Sequence, residues 1–212
     1  MPTTLATYLT QVRRLLHDPN AQFWSDTELT DYINEARRKT LVDTACQRNL
    51  QSVTLTAGTE LYDMTSAALV AQQTVLDVVG ITVIWGSTRY PLRYMAFQEL
   101  SATLRPYTSF RRQPLAFSRY GQIGVYIAPV PDQNYVTEWD TVWYSGDMSA
   151  STDAETMIYP YTAAVPYYAA YLGQIQAQSY EKADILQKLY LVRANEANNS
   201  YNVRVKNVYP TG

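Results

Sequence analysis

Residues 23–44 read FWSDTELTDYINEARRKTLVDT, and this stretch has the pattern of a helix with a well-defined start. Ser25 is a favourable N-cap residue, and Glu28 stands three positions later, which is the spacing of a capping box. Trp24 and Leu29 flank this start at the spacing of a hydrophobic staple. We therefore predict a helix that begins directly after Ser25 and carries no arrangement of residues with catalytic chemistry.

The two faces of this helix differ in character. At helical spacing, its apolar face carries Leu29, Tyr32, Ile33, Ala36 and Thr40. Its polar face carries Asp31, Glu35, Arg38 and Lys39. The spacing of Glu35 and Lys39 predicts an ion pair between them. Residues 3–17 show a similar apolar stripe that ends at DPN (18–20), so we expect two helices joined by a short turn, which together form a helical hairpin.

From residue 51 the apolar residues change from helical spacing to the alternation that is typical of strands. We predict strands on both sides of a turn at Gly58, a long strand over 75–85 that turns into 89–95, and a strand pair formed by 122–129 and 135–146. We also predict a short helix over 96–104 and, where no clear period is visible, a long loop over 105–121.

The C-terminal part of the chain returns to helical spacing over residues 158–199. Pro160 and Pro166 confine its first part to an N-terminal turn or a kink, and Gly173 is a point where the helix can bend. The last residues, 201–212, alternate between apolar and polar side chains and predict an extended tail.

These elements predict an α+β fold. Residues 1–50 and 158–200 are expected to form a helical bundle from the N- and C-terminal helices. Residues 51–157 are expected to form a strand-rich β insert, and residues 201–212 an extended C-terminal tail.

Composition and charge exclude several classes of protein. The chain has 212 residues and a formal net charge of −2, which argues against a dedicated nucleic-acid binder. Its single cysteine excludes an intrachain disulfide. The sequence shows no signal peptide and no apolar run of about 20 residues, so we expect a protein of a cytoplasm-like space without a membrane segment. The 19 tyrosines indicate either interfaces or a Tyr-rich core.

The residues offer little for catalysis, so we expect no enzyme, no cofactor and no metal site. His17 is the single histidine and cannot supply a site with several histidine ligands. Motifs for a phosphate-binding loop, a dinucleotide-binding turn or a nucleophile elbow do not occur.

Two alternatives to a purely structural protein remain open. Glu138 and Asp140 lie on the same strand face and offer the paired carboxylates of a cell-wall glycan hydrolase. The strand-rich part also offers aromatic side chains for a carbohydrate-binding tail protein: Trp85, Trp139 and Trp143. Core packing explains these tryptophans more simply.

Charged residues are unevenly distributed along the chain. One segment contains a single acid, Glu99, and six arginines: Arg89, Arg93, Arg105, Arg111, Arg112 and Arg119. Residues 120–180 contain six acids and no Lys or Arg. These charges can pair within the chain, they can pair between neighbouring copies, or the arginines can face phosphates. Head-to-tail pairing between copies can close a ring. It makes the following residues candidates for a subunit or tail-component interface: Arg105, Arg111, Arg112, Arg119, Glu138 and Asp140.

Several segments occur in an order that is found in a known family. Residues 24–36 match the pattern W-[ST]-D-x-E-[LI]-x-x-[YW]-[IL]-N-x-A. Residues 53–64, VTLTAGTELYDM, and residues 114–132, PLAFSRYGQIGVYIAPVPD, are similar to two hairpins of that family. Residues 167–190 are similar to its closing helix. The chain thus resembles, over nearly its whole length, the head-to-tail adaptor (connector) proteins of tailed bacteriophages.

The resemblance implies a structural protein that forms a ring, commonly of twelve copies, beneath the portal protein of the capsid. Such a ring joins the capsid to a downstream tail component (a nozzle, tail-tube or tail-fibre protein), and double-stranded DNA passes through it without sequence-specific contacts. The protein is then expected in the virion, at the head–tail junction, after assembly in the cytoplasm of the bacterial host. The C-terminal segment is expected to dock on the portal through Tyr201, Val203, Arg204, Val205, Lys206, Val208 and Tyr209.

Overall fold

The computed structural model of the chain describes residues 3–66, 74–105 and 110–206, with residues 200–206 described as backbone only. The chain divides into two units. The helical unit comprises Met1–Cys46 and Gly146–Gly212, and the strand unit comprises Gln47–Ser145. The predicted α+β class, with N- and C-terminal helices and a strand-rich middle, is confirmed.

The elements are numbered in chain order. The helices are α1 (Leu5–Leu16), α2 (Asp26–Thr44), α3 (Phe97–Leu104), α4 (Val165–Gln176) and α5 (Tyr180–Lys206), with a short 3-10 helix at Tyr161–Ala163. The strands are β1 (Arg48–Leu55), β2 (Leu61–Asp63), β3 (Thr74–Trp85), β4 (Thr88–Pro91), β5 (Arg93–Tyr94), β6 (Ala116–Tyr120), β7 (Gly124–Ala128) and β8 (Tyr135–Tyr144). Of these helices, α3 belongs to the strand unit and the others to the helical unit.

The predicted start of α2 is confirmed. The backbone N–H of Glu28 donates to the Ser25 hydroxyl at 3.2 Å, and the Ser25 backbone N–H donates to the Glu28 carboxylate at 3.1 Å. Together these two hydrogen bonds form the capping box. The Trp24 ring packs edge-on against Tyr32, with ring centroids 6.1 Å apart, and the staple to Leu29 stays a prediction.

Two charged side chains hold the turn between α1 and α2. The Asp18 carboxylate accepts backbone hydrogen bonds from Gln22, Phe23 and Trp24. Arg13, on α1, donates to the Trp24 carbonyl at 2.9 Å and to Asp26, the first residue of α2, at 2.6 Å. The helical hairpin is therefore fixed by polar contacts at its turn.

A buried ion pair between Arg37 of α2 and Glu155 lies inside the helical unit. The two side chains are 2% and 0% exposed, and Arg37 donates to the two carboxylate oxygens at 2.7 and 3.1 Å. The same guanidinium donates to the Gly146 carbonyl at 2.8 Å and to Asn34 Oδ1 at 3.1 Å. Tyr8 of α1 donates its hydroxyl to Glu155 at 3.2 Å. Each charge is thus met by several partners, which is the condition under which a buried pair is tolerated.

Asn34 and Tyr8 extend this network to the backbone and to α1. The Asn34 amide donates to the Met148 carbonyl and accepts from the Met148 backbone N–H, both at 2.9 Å. Burial, and then the neighbouring Glu155 carboxylate, raise the pKa of the Tyr8 hydroxyl far above its ordinary value, so this hydroxyl stays a hydrogen-bond donor. Two helices and the segment 146–157 are therefore held at one buried centre.

The segment 146–157 clusters with the helices, whereas the sequence grouped it with the β insert. The backbone N–H groups of Leu5 and Ala6, in the first turn of α1, donate to the carbonyls of Asp153 and Ser151, each at 3.1 Å. Small and acidic residues without a period are typical of a connecting loop. The sequence pattern therefore carries no sign that this segment packs against helices.

The C-terminal helical region is interrupted between α4 and α5, and not at Gly173. The break includes Gln178, whose φ of 56° lies in the left-handed region. Gly173 instead permits close packing of α4 on α1, because a Cβ there would lie 3.2 and 3.3 Å from the methyl carbons of Leu16. Pro166 lies in the first turn of α4, as expected.

The extended segment predicted from Tyr201 does not begin there, because α5 continues through Lys206. Alternating side chains predict extended backbone, yet adding a residue to an existing helix is far more favourable than starting one. The valines in this stretch lower helix propensity only slightly. Residues 207–212 of the predicted tail lie outside the described residues.

Two four-stranded sheets share the core of the strand unit. Their strand orders are β1-β8-β3-β4 and β2-β7-β6-β5, and the pairs are antiparallel except for β5 with β6. The core between them includes Val53, Leu55, Met64, Val78, Ile81, Val83, Leu92, Phe117, Val125, Ile127, Tyr135 and Trp139. Side chains from both sheets thus bury one another, as in a β-sandwich.

Two of the predicted strand pairs are wrong, although the strands themselves exist. β1 and β2 lie on either side of the Gly58 turn but join different sheets, and so do β7 and β8. The hairpin of β3 and β4 and the helix α3 are confirmed, but the predicted strand 89–95 divides into β4 and β5, which belong to different sheets. Alternation marks which residues face a core, but strands that are consecutive in sequence can reach that core from opposite sheets.

The predicted loop over 105–121 contains β6. Ala116, Phe117 and Ser118 are all buried, because one face of β6 contributes to the core and α3 packs on the other. A strand that is buried on both faces shows no alternation, which explains the missing period. Residues 106–109 of this segment lie outside the described residues.

Removing one partner of the buried ion pair is expected to destabilise the protein strongly. Arg37→Met leaves the Glu155 carboxylate buried without its counter-charge, and we expect the free energy of unfolding to fall by about 3–5 kcal/mol. Arg38→Met is the matched control, because Arg38 is nearly half exposed and pairs with the exposed Asp147. Its loss should stay below about 1 kcal/mol in urea denaturation followed by circular dichroism.

The double variant Arg37→Met/Glu155→Met tests the coupling, because it removes both charges at once. Its loss should be smaller than the sum of the losses of the two single variants. Additive losses, or equal losses in Arg37→Met and Arg38→Met, would contradict the role assigned to the pair.

Candidate assembly surfaces

The described part of the chain contains no grouping of three or more His, Cys, Asp or Glu side chains that could hold a metal ion. Among the helices of the described residues, none combines the length and the apolar character that crossing a membrane requires. The interface residues predicted from the sequence belong to surfaces that are built from charged and apolar side chains.

Arg105 anchors the end of α3 to the strand unit. Its guanidinium donates to both carboxylate oxygens of Glu60, at 2.9 and 2.6 Å. It also lies over the ring of Tyr126, 4.6 Å from the centroid, and 5.7 Å from the centroid of Phe97. This predicted interface residue is thus paired within its own chain.

Three further ion pairs lie on the strand unit. They join Arg119 to Asp77 at 2.6 Å, Arg89 to Glu138 at 3.0 Å, and Arg48 to Asp140. Among the predicted interface residues, four are therefore paired within the chain: Arg105, Arg119, Glu138 and Asp140. The simplest explanation of the uneven charge, pairing within the chain, holds for these four.

Arg111 and Arg112 differ from these four residues, because neither forms an ion pair with any residue that the structure describes. Both are exposed, and the backbone N–H of Arg112 donates to the Val130 carbonyl at 2.9 Å. The Arg111 guanidinium lies against the turn at Gly58, where a Cβ would be 3.4 Å from its Cζ. These two arginines present positive charge on a backbone that is held in place.

The geometry does not favour the glycan-hydrolase alternative. The hydrogen bonds that Arg89 donates, together with its charge, lower the pKa of the Glu138 carboxyl. Asp140 is paired with Arg48. A glycoside hydrolase needs one carboxyl whose pKa is raised so that it can act as a general acid. The pKa of Glu138 is shifted in the opposite direction.

The tryptophans do not form a shared aromatic surface. Trp139 is fully buried in the core, where its indole N–H donates to the Thr137 hydroxyl at 2.8 Å. Trp143 is partly buried, and Trp85 is nearly half exposed against Tyr135, with centroids 5.5 Å apart. Core packing therefore explains Trp139, and Trp85 alone of the three offers a well-exposed ring.

Helix α5 carries two separate apolar faces. The buried face consists of Ala183, Leu186, Tyr190, Ala194 and Ala197. A second set, which we call the α5 stripe, consists of Ile185, Leu189 and Val192, whose residues are 58%, 41% and 51% exposed. These three residues stand at helical spacing in the sequence, and the structure leaves them exposed.

The predicted portal-docking residues fall at the end of α5. Tyr201, Val203, Arg204, Val205 and Lys206 belong to its last turns, whereas Val208 and Tyr209 lie outside the described residues. This docking role stays a prediction.

The residues of the buried centre are not predicted by the sequence pattern. Asn34 belongs to the matched opening pattern, but its contact with the Met148 backbone could not be inferred from it. Arg37 is adjacent to the apolar Ala36 and four positions after the apolar Ile33. A charged residue beside an apolar stripe was the available signal, and it does not identify Glu155 as the partner. The predicted Glu35–Lys39 pair is replaced by Lys39 with Asp43, at 2.6 Å.

A comparison with known protein families supports the resemblance that the order of the segments indicates. Residues 3–207 match the family described as SU10 adaptor protein. No curated protein matches the chain. Because the family match covers almost the whole chain, the protein belongs to the SU10 adaptor protein family.

Proposed function

We propose that this protein is a structural adaptor that forms a ring of twelve copies beneath the phage portal. The ring joins the capsid to the next tail component, and its lumen forms part of the channel through which DNA leaves. The single observation that carries the proposal is the family match over residues 3–207. The proposal places the protein in the virion, at the junction of head and tail, after assembly in the host cytoplasm.

The helical unit suits the wall of such a ring. A wall around packed DNA needs elements that resist deformation, and the α1–α2 hairpin is fixed at both its turn and its middle. Arg13 and Asp18 hold the turn, and the Arg37–Glu155 pair holds the middle. Moving either helix would leave a buried charge without its partner, which is energetically costly.

Charge on the strand unit supports contacts between neighbouring copies or with a tail component. Arg111 and Arg112 are exposed and make no ion pair within the described residues, so a carboxylate of a second chain can reach them. Glu138 and Asp140 are suited to the reciprocal role. Exposed ion pairs contribute only about 0–1 kcal/mol each, so these acids can exchange partners at little cost.

The charge of the chain is also compatible with DNA that passes through without being held. A protein that grips DNA neutralises many phosphates with Lys and Arg. With a formal net charge of −2, a ring of this chain lacks a general basic excess. We propose transient contact with double-stranded DNA and no readout of base sequence.

Mixing the purified protein with the portal protein of its phage is expected to produce a complex that contains a ring of this chain. Native mass spectrometry gives the copy number, and the portal alone provides the reference mass. Negative-stain images should show additional density at one end of the portal. A protein that remains a monomer and never binds the portal would argue against the whole proposal.

Reversing both exposed arginines, Arg111→Glu/Arg112→Glu, is expected to weaken ring assembly by about tenfold or more, because like charges would then meet across the interface. The matched control Arg111→Lys/Arg112→Lys keeps the charge and should retain assembly. Sedimentation at increasing salt measures the effect, because screening weakens exposed charge contacts. Unchanged assembly of the reversed variant would remove the arginines from the interface.

Deleting residues 201–212 is expected to weaken portal binding while leaving the fold intact. The truncated chain loses only the last turns of α5 and residues outside the described part. A shorter deletion, 207–212, separates the contribution of the helix end from that of the residues beyond it. Surface plasmon resonance against the portal measures affinity, and thermal unfolding checks the fold. Loss of folding in the longer deletion would assign these residues to the core instead.

A further inference from the structure

We propose that a hollow between α1, the segment 159–167 and α5 binds an acidic peptide segment of a partner protein, in which a carboxylate stands beside an aromatic side chain. We call it the arginine–tyrosine hollow, and it lies wholly within the helical unit. The inference goes beyond the proposed ring and does not depend on it, because the site belongs to a single chain.

The hollow combines cationic, aromatic and apolar side chains in a volume of about 360 Å³. Helix α1 contributes one face through Gln11, Arg14 and Leu15, whose spacing of three and four positions places them side by side. Pockets of roughly 300–1,000 Å³ are the usual size for small ligands. The hollow therefore has room for a short peptide segment, whereas a rigid DNA duplex can touch it only from outside.

Arg14 supplies a positive charge that is not balanced within the described part of the chain. It is exposed and forms no ion pair with any residue that the structure describes. Its neighbour Arg13, in contrast, is buried and pairs with Asp18 and Asp26. Arg14 also borders a second hollow of about 510 Å³, together with His17. Among the described residues that line the two hollows, none is an acid.

Arg193, on α5, adds hydrogen-bond donors to the same hollow. It donates to the Glu196 carboxylate at 3.0 Å. Its hydrogen bonds to Glu196 and to Tyr167 raise the pKa of the guanidinium, so the group stays charged. A guanidinium has five N–H donors, and these two partners do not use all of them. Arg193 can therefore donate to a ligand oxygen while Glu196 balances most of its charge.

Tyr159 gives the hollow an aromatic rim. The residue is 81% exposed, and the partly buried Tyr167 lines the same hollow. Leu15 and Pro166 supply apolar surface beside them. Tyrosine pairs an apolar ring with a polar tip and is common at binding hot spots. A ligand that fits both parts of the hollow therefore carries an anionic group next to an apolar or aromatic one.

Charge and shape together favour a peptide over nucleic acid. A protein that holds duplex DNA neutralises several phosphates with Lys and Arg. The arginine–tyrosine hollow instead offers one uncompensated cation, Arg14, against an aromatic wall. A guanidinium binds a carboxylate through two parallel hydrogen bonds. A glutamate or aspartate flanked by a tyrosine or phenylalanine uses the cation and the wall at the same time.

Calorimetric titration of the full-length chain with two synthetic peptides tests the site. The acidic probe is GEYEG with blocked ends, and the neutral probe is GQYQG with the same ends. We expect the acidic probe to bind at least about tenfold more tightly, because only its carboxylates can pair with the guanidinium groups. Its affinity should fall as salt increases. Equal affinities for the two probes, or no binding of the acidic probe, would overturn the inference.

Arg14→Gln tests the anchor, and Lys182→Gln is its matched control. Lys182 is exposed on α5, does not line the hollow and forms no ion pair within the described residues. Both changes thus remove one exposed positive charge from the helical unit. Arg14→Gln should weaken binding of the acidic probe at least about tenfold, whereas Lys182→Gln should leave it nearly unchanged. Equal losses in the two variants would reduce the effect to net charge and overturn the inference.

Tyr159→Ser tests the aromatic rim without changing any charge. We expect it to weaken binding of the acidic probe by about threefold or more, because the exposed ring loses its contact with the tyrosine of the peptide. Circular dichroism checks that each variant is folded. This variant tests the site even if Arg14→Gln does not fold, and unchanged binding by Tyr159→Ser would contradict the proposed site.

Competition with a short DNA duplex identifies the class of partner. At equal concentration, the duplex should not displace the acidic probe. Displacement would assign the hollow to nucleic acid and overturn the inference. Because these measurements use the chain by itself, their failure would leave the proposed ring intact, and a failure to assemble on the portal would leave the hollow intact.

Discussion

The ion pair between Arg37 and Glu155 is the constraint on which the helical unit depends. Removing two charges from water costs several kcal/mol per ion, and only a complete set of partners offsets that cost. The partners include Tyr8 on α1, Asn34 on α2, and the backbone at Gly146, Thr156 and Met157. If any one of these elements shifted, a buried charge would lose a partner. The pair therefore specifies one arrangement of the helices, which apolar packing by itself would define less sharply.

The same contacts explain how a strand-rich insert interrupts a helical unit without disordering it. The chain leaves the helical unit at Cys46 and re-enters it at Gly146. The Gly146 carbonyl and the Met148 backbone are both held by side chains of α2. The returning chain is thus bound to the helix that precedes the departure. Changes in the length of the insert can then be accommodated without repacking the helices.

What the sequence could predict depended on whether the signal was local. The capping box at Ser25 and Glu28, the α1–α2 hairpin and α3 each rest on residues within a few positions of one another, and all are present. Strand partners and the hydrogen bonds of Glu155 are not local, because they depend on residues about a hundred positions away. The candidate surfaces divide in the same way. The arginines were visible as a cluster, but only the structure separates Arg105, which is paired, from Arg111, which is exposed.

The contact between Arg111 and the turn at Gly58 has a consequence for variation in this protein. Gly58 has a φ of 79°, a conformation that other residues adopt only with strain, and a Cβ there would lie in van der Waals contact with the Arg111 guanidinium, 3.4 Å from its Cζ. Gly58, which carries no charge, thus supports the orientation of the Arg111 guanidinium, although Arg111 comes much later in the chain. Replacing this glycine is therefore expected to redirect the arginine as well, so a substitution at a position that bears no charge can change where a positive charge is presented.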